Sequence, residues 1–375
     1  MPGRNRWDRK VYWIGPLAGS GGYAEEGRAL AAAIRSAGFS VQEIDIPQPE
    51  TFDQVSKMQE IGEVIADPDP SDIYIYHRYW PAPPLPYVGY HIWRTMFETS
   101  SVHPEWRRCA ESYDAIWVPS QFNGETFAAG GIPVKKIQRL PCPIPTWHGS
   151  LVAKAHGLYT TNAKPYLFLS VMRWQQRKSW DMLVSAFLEE FGGDDDIHLV
   201  IKAAPFDRRN PDRPRQEFEA YASINGFGKP QNIEILTSEL SIPEMISLYA
   251  AADAFVLASK GEGWGRPFIE AMLCGLPVIG PRWSGNLEYM NDTNSLLVNG
   301  DLVDVSQKAI DEWRYFEGQS WFRPSIQSLR RCMRMVVHND GPSAARRRQT
   351  IQELLENFSI SNISTRARQL LLALP

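Results

Sequence analysis

Apolar and polar positions along this chain fall into two successive trains of short buried strands and amphipathic helices. The first train opens with KVYWIG, an apolar run followed by the glycine-rich LAGSGGYAEEG. RALAAAIRSAG comes next, with its alanines, leucine and isoleucine at helical spacing, and SVQEIDI returns to strand. This order predicts a β-loop-α-β unit, the opening of a parallel sheet. SDIYIYH, GYHIWRTMFE and YDAIWVPS read as further strands, the first two separated by the turn-forming PAPPLP. QFNGETFAAGG reads as a helix closed by Gly130 and Gly131, and KIQRLPCPI ends this half.

Regular patterning then dissolves into Pro, Gly and small polar residues, which predicts a linker over 146–164. The second train begins with the strand KPYLFLSVM and the helix WDMLVSAFLEEF. The strand IHLVIKA, a charged loop FDRRNPDRPRQ and the strand NIEILT follow. The helix IPEMISLYAAA leads to the strand DAFVLAS, the helix RPFIEAMLCG and the strand LPVIG. Everything after about residue 300 reads as helix. The pattern predicts an α/β chain of two Rossmann-like, doubly wound domains facing a cleft, with ligands at the C-terminal ends of the strands. Residues 1–145 and 165–340 are the two domains, and helices over 341–375 are expected to pack back on the first.

Composition narrows the class. A net charge of −4 gives no basic field to hold nucleic acid. The basic clusters, Arg346-Arg347-Arg348 and Arg4 to Lys10, read as solvated surface, although either could touch an anionic membrane. Cys109, Cys142, Cys274 and Cys332 show no paired spacing and read as reduced thiols of a cytoplasmic protein. No apolar run approaches the about 18 residues of a membrane span, and no signal peptide is apparent. The expected location is the cytoplasm, including work at the inner membrane face. Among the 13 tryptophans, Trp80, Trp264 and Trp283 stand near Gly, Pro or charge, where an exposed ring could stack on a sugar, although most tryptophans are packing residues.

The strongest chemical signal is DAFVLASKGEGWGRPFIEAMLCGLPVIG. It reads as a buried strand, a glycine-rich loop and a helix with Pro267 in its first turn. Gly261, Gly263 and Gly265 permit close backbone approach, and the helix start offers unpaired amides to a phosphate. Glu262 and Glu270, eight positions apart, supply acceptors for sugar or ribose hydroxyls. On these residues the chain resembles glycosyltransferase family 4, the retaining GT-B enzymes, with their E-x7-E pair. The resemblance implies that Glu270 binds the donor ribose and Glu262 the transferred sugar, with Gly263, Trp264, Gly265 and Arg266 around the sugar and diphosphate. SVMRWQQRKSWDMLVSAF is similar to the family's GR-(x4)-KG-(x3)-LI-x-AF stretch. It places Arg173 and Lys178 as the cations that neutralise the leaving diphosphate, with Met172 and Ser179 where the family has glycines. By the same resemblance Leu236 and Thr237 face the nucleobase, and Ser284, Gly285 and Asn286 lie near the donor.

In the first half, GSGGYA satisfies the dinucleotide fingerprint G-x-G-x-x-A, with Glu43 and Asp45 on the next strand. Under the resemblance, Gly21 and Gly22 instead approach the donor diphosphate or the acceptor. Glu98 stands where many relatives carry a catalytic histidine, with His103 close behind. Asp194-Asp195-Asp196 and Asp67-x-Asp69 read as solvated turns rather than metal ligands, so no metal and no cofactor are expected. The implied function is retaining transfer of a hexose-type sugar from a UDP- or GDP-linked donor to a hydroxyl of a glycan or lipid-linked acceptor, forming an α-linkage. Two alternatives remain open on sequence: an NAD(P)-dependent oxidoreductase, and a non-catalytic nucleotide-sugar-binding subunit of a polysaccharide assembly complex.

Overall fold

The structure, a computed structural model, describes residues 9–19, 21–46, 65, 68–149, 165–194, 196–205 and 210–375. Most of the expected linker (150–164), Arg4, Ser20, Asp67, Asp195 and the head of the charged loop (206–209) lie outside the described residues. The chain divides into two compact units. One comprises Met1–Pro145 with Leu355–Pro375, and the other Thr146–Leu354.

The first unit is built on a six-stranded parallel sheet of β1 (Lys10–Gly15), β2 (Ser40–Asp45), β3 (Ile73–His77), β4 (Tyr90–Arg94), β5 (Ala115–Val118) and β6 (Ile137–Arg139), in the order β2-β1-β3-β4-β5-β6. β1 and β3 to β5 are buried along nearly their whole length, as expected for strands covered on both faces. Helix α1 (Gly22–Ser36) starts earlier than the hydrophobic pattern indicated, because Gly21 caps it and Gly22 already belongs to its first turn. Its small buried face (Ala24, Ala29, Ala31, Ala33) allows close packing on the sheet. α2 (Pro104–Glu111) and α3 (Gln121–Ala129) follow β4 and β5.

In the second unit β7 (Tyr166–Trp174), β8 (Ile197–Pro205), β9 (Ile233–Leu236), β10 (Ala254–Val256), β11 (Val278–Pro281) and β12 (Leu296–Val298) form a parallel sheet in the order β12-β11-β10-β7-β8-β9. The helices are α4 (Trp180–Phe191), α5 (Arg213–Ile224), α6 (Ile242–Ala251) and α7 (Arg266–Leu273). The winding direction reverses between β7 and β10, so the crevice at their C-terminal ends is the topological switch point, where such sheets bind ligands.

Two expectations are corrected here. The charged segment FDRRNPDRPRQ is not loop throughout, because α5 begins at Arg213; Pro214 sits in the first turn, where a missing N–H costs nothing. Nor is the chain helical throughout after residue 300. β13 (Gly300–Asp304) and β14 (Ser320–Pro324) form an antiparallel pair around the short helix α8 (Gln307–Glu312). Helices then close the chain: α9 (Ile326–Val337), α10 (Ala344–Phe358) and α11 (Ile360–Leu372). α11 packs on α1, adding Ile363, Ala367, Leu371 and Leu374 to the core of Val11, Trp13, Leu30 and Ile75. The chain thus returns to its first unit within α10.

Candidate functional site

At the switch point of the second unit, two segments far apart in sequence meet. After β7 the chain makes a single 3-10 turn, Gln176–Lys178, and Ser179 then takes the left-handed conformation (φ 52°, ψ 38°) before α4 begins. That backbone suits the glycine of the family pattern and is costly for serine. The turn buries Arg177 and Lys178 and aims both at the glycine-rich loop after β10. Lys178 Nζ lies 2.5 Å from Glu262 Oε1, and Arg177 Nη1 lies 3.3 Å from Glu262 Oε2. Arg177 also donates to the carbonyl of Gly261, and its own carbonyl accepts from the Lys260 amide at 2.7 Å. Burial disfavours the charge on Glu262, but the cations Lys178 and Arg177 outweigh it and hold the carboxyl below its ordinary value.

The loop is fixed from a third side. Ser284 Oγ accepts from the Glu262 amide at 2.9 Å and donates to Asn286 Oδ1 at 3.0 Å, while the Gly285 amide donates to the Glu262 carbonyl at 2.8 Å. The two backbones approach so closely that a Cβ on Gly285 would lie 2.1 Å from the Gly263 carbonyl oxygen. Gly285→Ala is therefore expected to push the loops apart, costing about 1–3 kcal/mol. Denaturant unfolding checks the stability loss.

Helix α7 starts on Gly265, which is left-handed (φ 84°) and would drive a Cβ into the Phe268 ring at 2.8 Å. Its first-turn amides are the positive end of a helix that lacks a side-chain cap. Trp264 is a packing residue, 2% exposed, with its ring 5.2 Å from that of Tyr289. The Tyr289 hydroxyl lies between the carbonyls of Trp264 and Gly265, at 2.8 and 2.6 Å. Glu270 is buried one turn into the helix. It accepts from the Tyr249 hydroxyl at 2.8 Å and stands 3.6 Å from Arg266 Nη2. Burial and the neighbouring carboxylate raise the Tyr249 phenol well above its usual range, so it stays a donor.

The structure therefore brings together Lys178, Glu262, Gly263, Ser284, Gly285 and Asn286, with Trp264, Gly265, Arg266 and Glu270 continuing into α7. Leu236 and Thr237 lie half-buried at the C-terminal end of β9. Arg173, one residue before the end of β7, is exposed. Arg177 also meets Glu262 beside Lys178; it is not among the residues the family pattern singles out, and its direct adjacency to Lys178 is the available signal.

In the first unit, Gly21 and Gly22 are exposed at the start of α1. Glu98 lies half-buried in the loop after β4, close enough for its charge to raise the Tyr23 phenol, after burial and Glu26. His103 is the N-cap of α2, its Nδ1 accepting from the Glu105 amide at 3.2 Å. The carboxylates of the dinucleotide fingerprint are already engaged. Glu43 pairs with Arg35, and Asp45 Oδ1 accepts from the amides of Leu17 and Ala18 at 2.7 and 3.2 Å. Asp69 and Asp194 make local turn bonds to Ser71 and Asp196. Among the described residues no cluster of three His, Cys, Asp or Glu could hold a metal ion.

Residues 163–314 match the family described as Glycosyl transferases group 1. The matched segment is 152 of the 375 residues. It contains the whole Lys178–Glu262–Glu270 constellation. Over 143 residues, 36% of this chain, the sequence is 27% identical to a GDP-mannose-dependent monoacylated alpha-(1-6)-phosphatidylinositol monomannoside mannosyltransferase of Corynebacterium glutamicum. That match spans 34% of the relative's length. In fold, the chain is similar to an alpha,alpha-trehalose-phosphate synthase (UDP-forming) from Burkholderia vietnamiensis, with a TM-score of 0.68 at 12% identity over 98% of this chain and 100% of the other. It is also similar to Anabaena Alr3699/HepE in complex with UDP-glucose, with a TM-score of 0.64 at 13% identity over 97% and 100%. Both units thus have the Rossmann-like build of the GT-B fold.

Proposed function

We propose that this protein is a retaining glycosyltransferase that moves a hexose-type sugar from a nucleotide diphosphate-sugar to a hydroxyl of a glycan or lipid-linked acceptor, forming an α-linkage without a required metal. The observation that carries this reading is the buried pairing of Lys178 and Arg177 with Glu262 at the switch point, directly before the uncapped start of α7. A diphosphate placed there meets two cations and the helix amides, which stabilise the charge that builds as the glycosidic bond breaks. The Lys178 ammonium has three N–H donors, so it can serve Glu262 and a phosphate oxygen together. Glu262, held ionised, accepts from hydroxyls of the transferred sugar, and Glu270, braced by Tyr249, accepts from the ribose.

The GDP-mannose dependence of the corynebacterial relative and the UDP-glucose bound to HepE make GDP- and UDP-sugars the donors to test first. A lipid-linked acceptor would put the enzyme at the inner face of the cytoplasmic membrane. No described helix is long and apolar enough to cross one. An oxidoreductase reading is disfavoured because Glu43 and Asp45, the fingerprint carboxylates, are engaged by protein groups.

The deciding experiment offers the isolated protein UDP-glucose, UDP-N-acetylglucosamine, GDP-mannose and NAD. It follows donor hydrolysis and thermal shift. Release of UDP or GDP from one donor, with no shift by NAD, is expected. Binding without any consumption, with or without acceptor extracts, would leave a non-catalytic subunit and remove the proposal.

A further inference from the structure

Lys202, in the C-terminal half of β8, is a lysine only 7% exposed. Among the described residues its ammonium makes no hydrogen bond and no ion pair. Burial holds its pKa below the ordinary lysine value, while Glu239, exposed in the loop after β9, favours the charge from a distance. Taking an ammonium out of water is costly unless acceptors replace the water. A methionine of similar length would fill the same space without that cost. A buried cation here calls for an acceptor that the chain itself does not supply.

Strand register shows where that acceptor would stand. Lys202 pairs with Val171 of β7 on one side and with Leu236 of β9 on the other. The three side chains therefore share one face of the sheet. Two residues before Val171, on the same face, Leu169 pairs with Phe255 of β10. The Phe255 ring lies 6.1 Å from that of Tyr249 on α6 and 5.7 Å from that of Phe268 on α7. Lys202 thus belongs to the face covered by α6 and α7, the helices that hold the Tyr249–Glu270 hydrogen bond. It stands one strand, about 4.8 Å, from β7 towards the β9 edge, where Leu236 and Thr237 are half-buried.

We propose that Lys202 selects the base of the nucleotide donor, its ammonium donating to a ring keto oxygen, O4 of uracil or O6 of guanine. The inference rests on the donor-site reading above and deepens it, by assigning the class of base. A nucleotide with its diphosphate at Lys178 and Arg177 and its ribose at Glu270 carries its base along this face, towards Leu236 and Thr237. An ammonium has three N–H donors and no acceptor. Uracil and cytosine differ in what they present to it: a keto oxygen in the first, an amino group at the same ring position in the second. Guanine and adenine differ likewise. An amino group would meet the ammonium donor to donor and leave the buried charge unpaired, which is an effective way to reject a ligand.

The test is calorimetric titration of the full chain with UDP, CDP, GDP, ADP and inorganic pyrophosphate, in wild type and K202M, with a melting curve of each protein. In wild type one keto nucleotide is expected to bind about tenfold or more tightly than its amino counterpart. K202M should lower that affinity about tenfold, abolish the preference and leave pyrophosphate binding unchanged. Its melting temperature should stay at or above that of wild type, because an unpaired buried charge is gone. Equal affinity for keto and amino nucleotides in wild type, or a preference that survives in K202M, overturns the assignment. So does a K202M that weakens pyrophosphate as much as the nucleotides, which would put the ammonium on phosphate. If wild type binds none of these probes, the donor-site reading itself fails.

Discussion

Replacing Lys178 by alanine is expected to lower kcat for the donor about 10²–10³-fold while the chain stays folded. Catalysis requires donors that are already in place when negative charge develops on the leaving diphosphate, and a buried ammonium serves that need without waiting for solvent to reorganise. Lys178 meets the condition, being 6% exposed and held 2.5 Å from Glu262. Its removal leaves Glu262 with Arg177 at 3.3 Å and with the Ser284 contact to its amide. The carboxylate is therefore not abandoned in the interior, which is the situation that makes single deletions of buried ion pairs so destructive. Function and stability should separate: kcat collapses, while the circular dichroism spectrum and melting transition change little. Lys178→Arg tests the geometry, since a planar guanidinium cannot replace a compact ammonium at 2.5 Å without shifting the loop; recovery of less than a tenth of the activity is expected. Turnover of Lys178→Ala at the wild-type rate would remove the mechanism.

The architecture of the second unit was largely legible in the sequence because its signals are local. Strands such as KPYLFLSVM are short apolar runs, α4 and α6 carry clear helical periods, and the glycine loop sits between two of them. What stayed hidden depends on non-local geometry. β13 and β14 are five residues each, separated by a helix-containing connection with no hairpin turn, so their pairing leaves no short-range signature. Leu302, exposed on β13, also breaks any inside-outside rule. The start of α5 was obscured by Pro214, a helix breaker in the interior and harmless in the first turn. Arg177, which meets Glu262 beside Lys178, has the same character. Alignment to a family pattern counts positions along the chain, whereas the tight turn over Gln176–Lys178 and the left-handed Ser179 decide which side chains face the loop.

A second buried charge cluster, in the first unit, leads to the other large effect: Arg94→Leu should destabilise that unit by about 3–5 kcal/mol. Arg94 and Glu26 are 0% and 2% exposed. The guanidinium gives two bonds to Glu26 Oε1, at 2.9 and 2.7 Å, one to the Leu140 carbonyl at 2.5 Å and one to Cys142 Sγ at 3.3 Å. It thereby ties the first turns of α1 to the end of β4 and to the segment leaving β6. His77, fully buried at the end of β3, lies 3.6 Å from Glu26 and stacks on Tyr23 at 4.8 Å. Replacing Arg94 by leucine would leave the buried Glu26 carboxyl without the guanidinium that gives it two bonds, with His77 beside it at 3.6 Å.

The cluster also fixes how the unit answers acid. Burial opposes the charge on Glu26, but Arg94 and His77 pull the carboxyl down to about 2 from 4.5. Its stabilisation is therefore complete above the unfolded value of 4.5 and is lost as pH falls towards 2. Burial pushes His77 below 6.5 despite Glu26. The unfolded chain then takes up that proton first, and stability begins to fall below about 6.5. Hydrogen exchange of the β1, β3 and β4 amides, read against pH, isolates this unit from its neighbour. The double variant Glu26→Leu/Arg94→Leu supplies the control, since replacing both charges by apolar groups of similar volume is often neutral. It should recover most of the stability lost by Arg94→Leu and flatten the loss between pH 4.5 and 2. A double variant no more stable than Arg94→Leu alone would show that the bonds to Leu140 and Cys142, rather than the ion pair, hold these segments together.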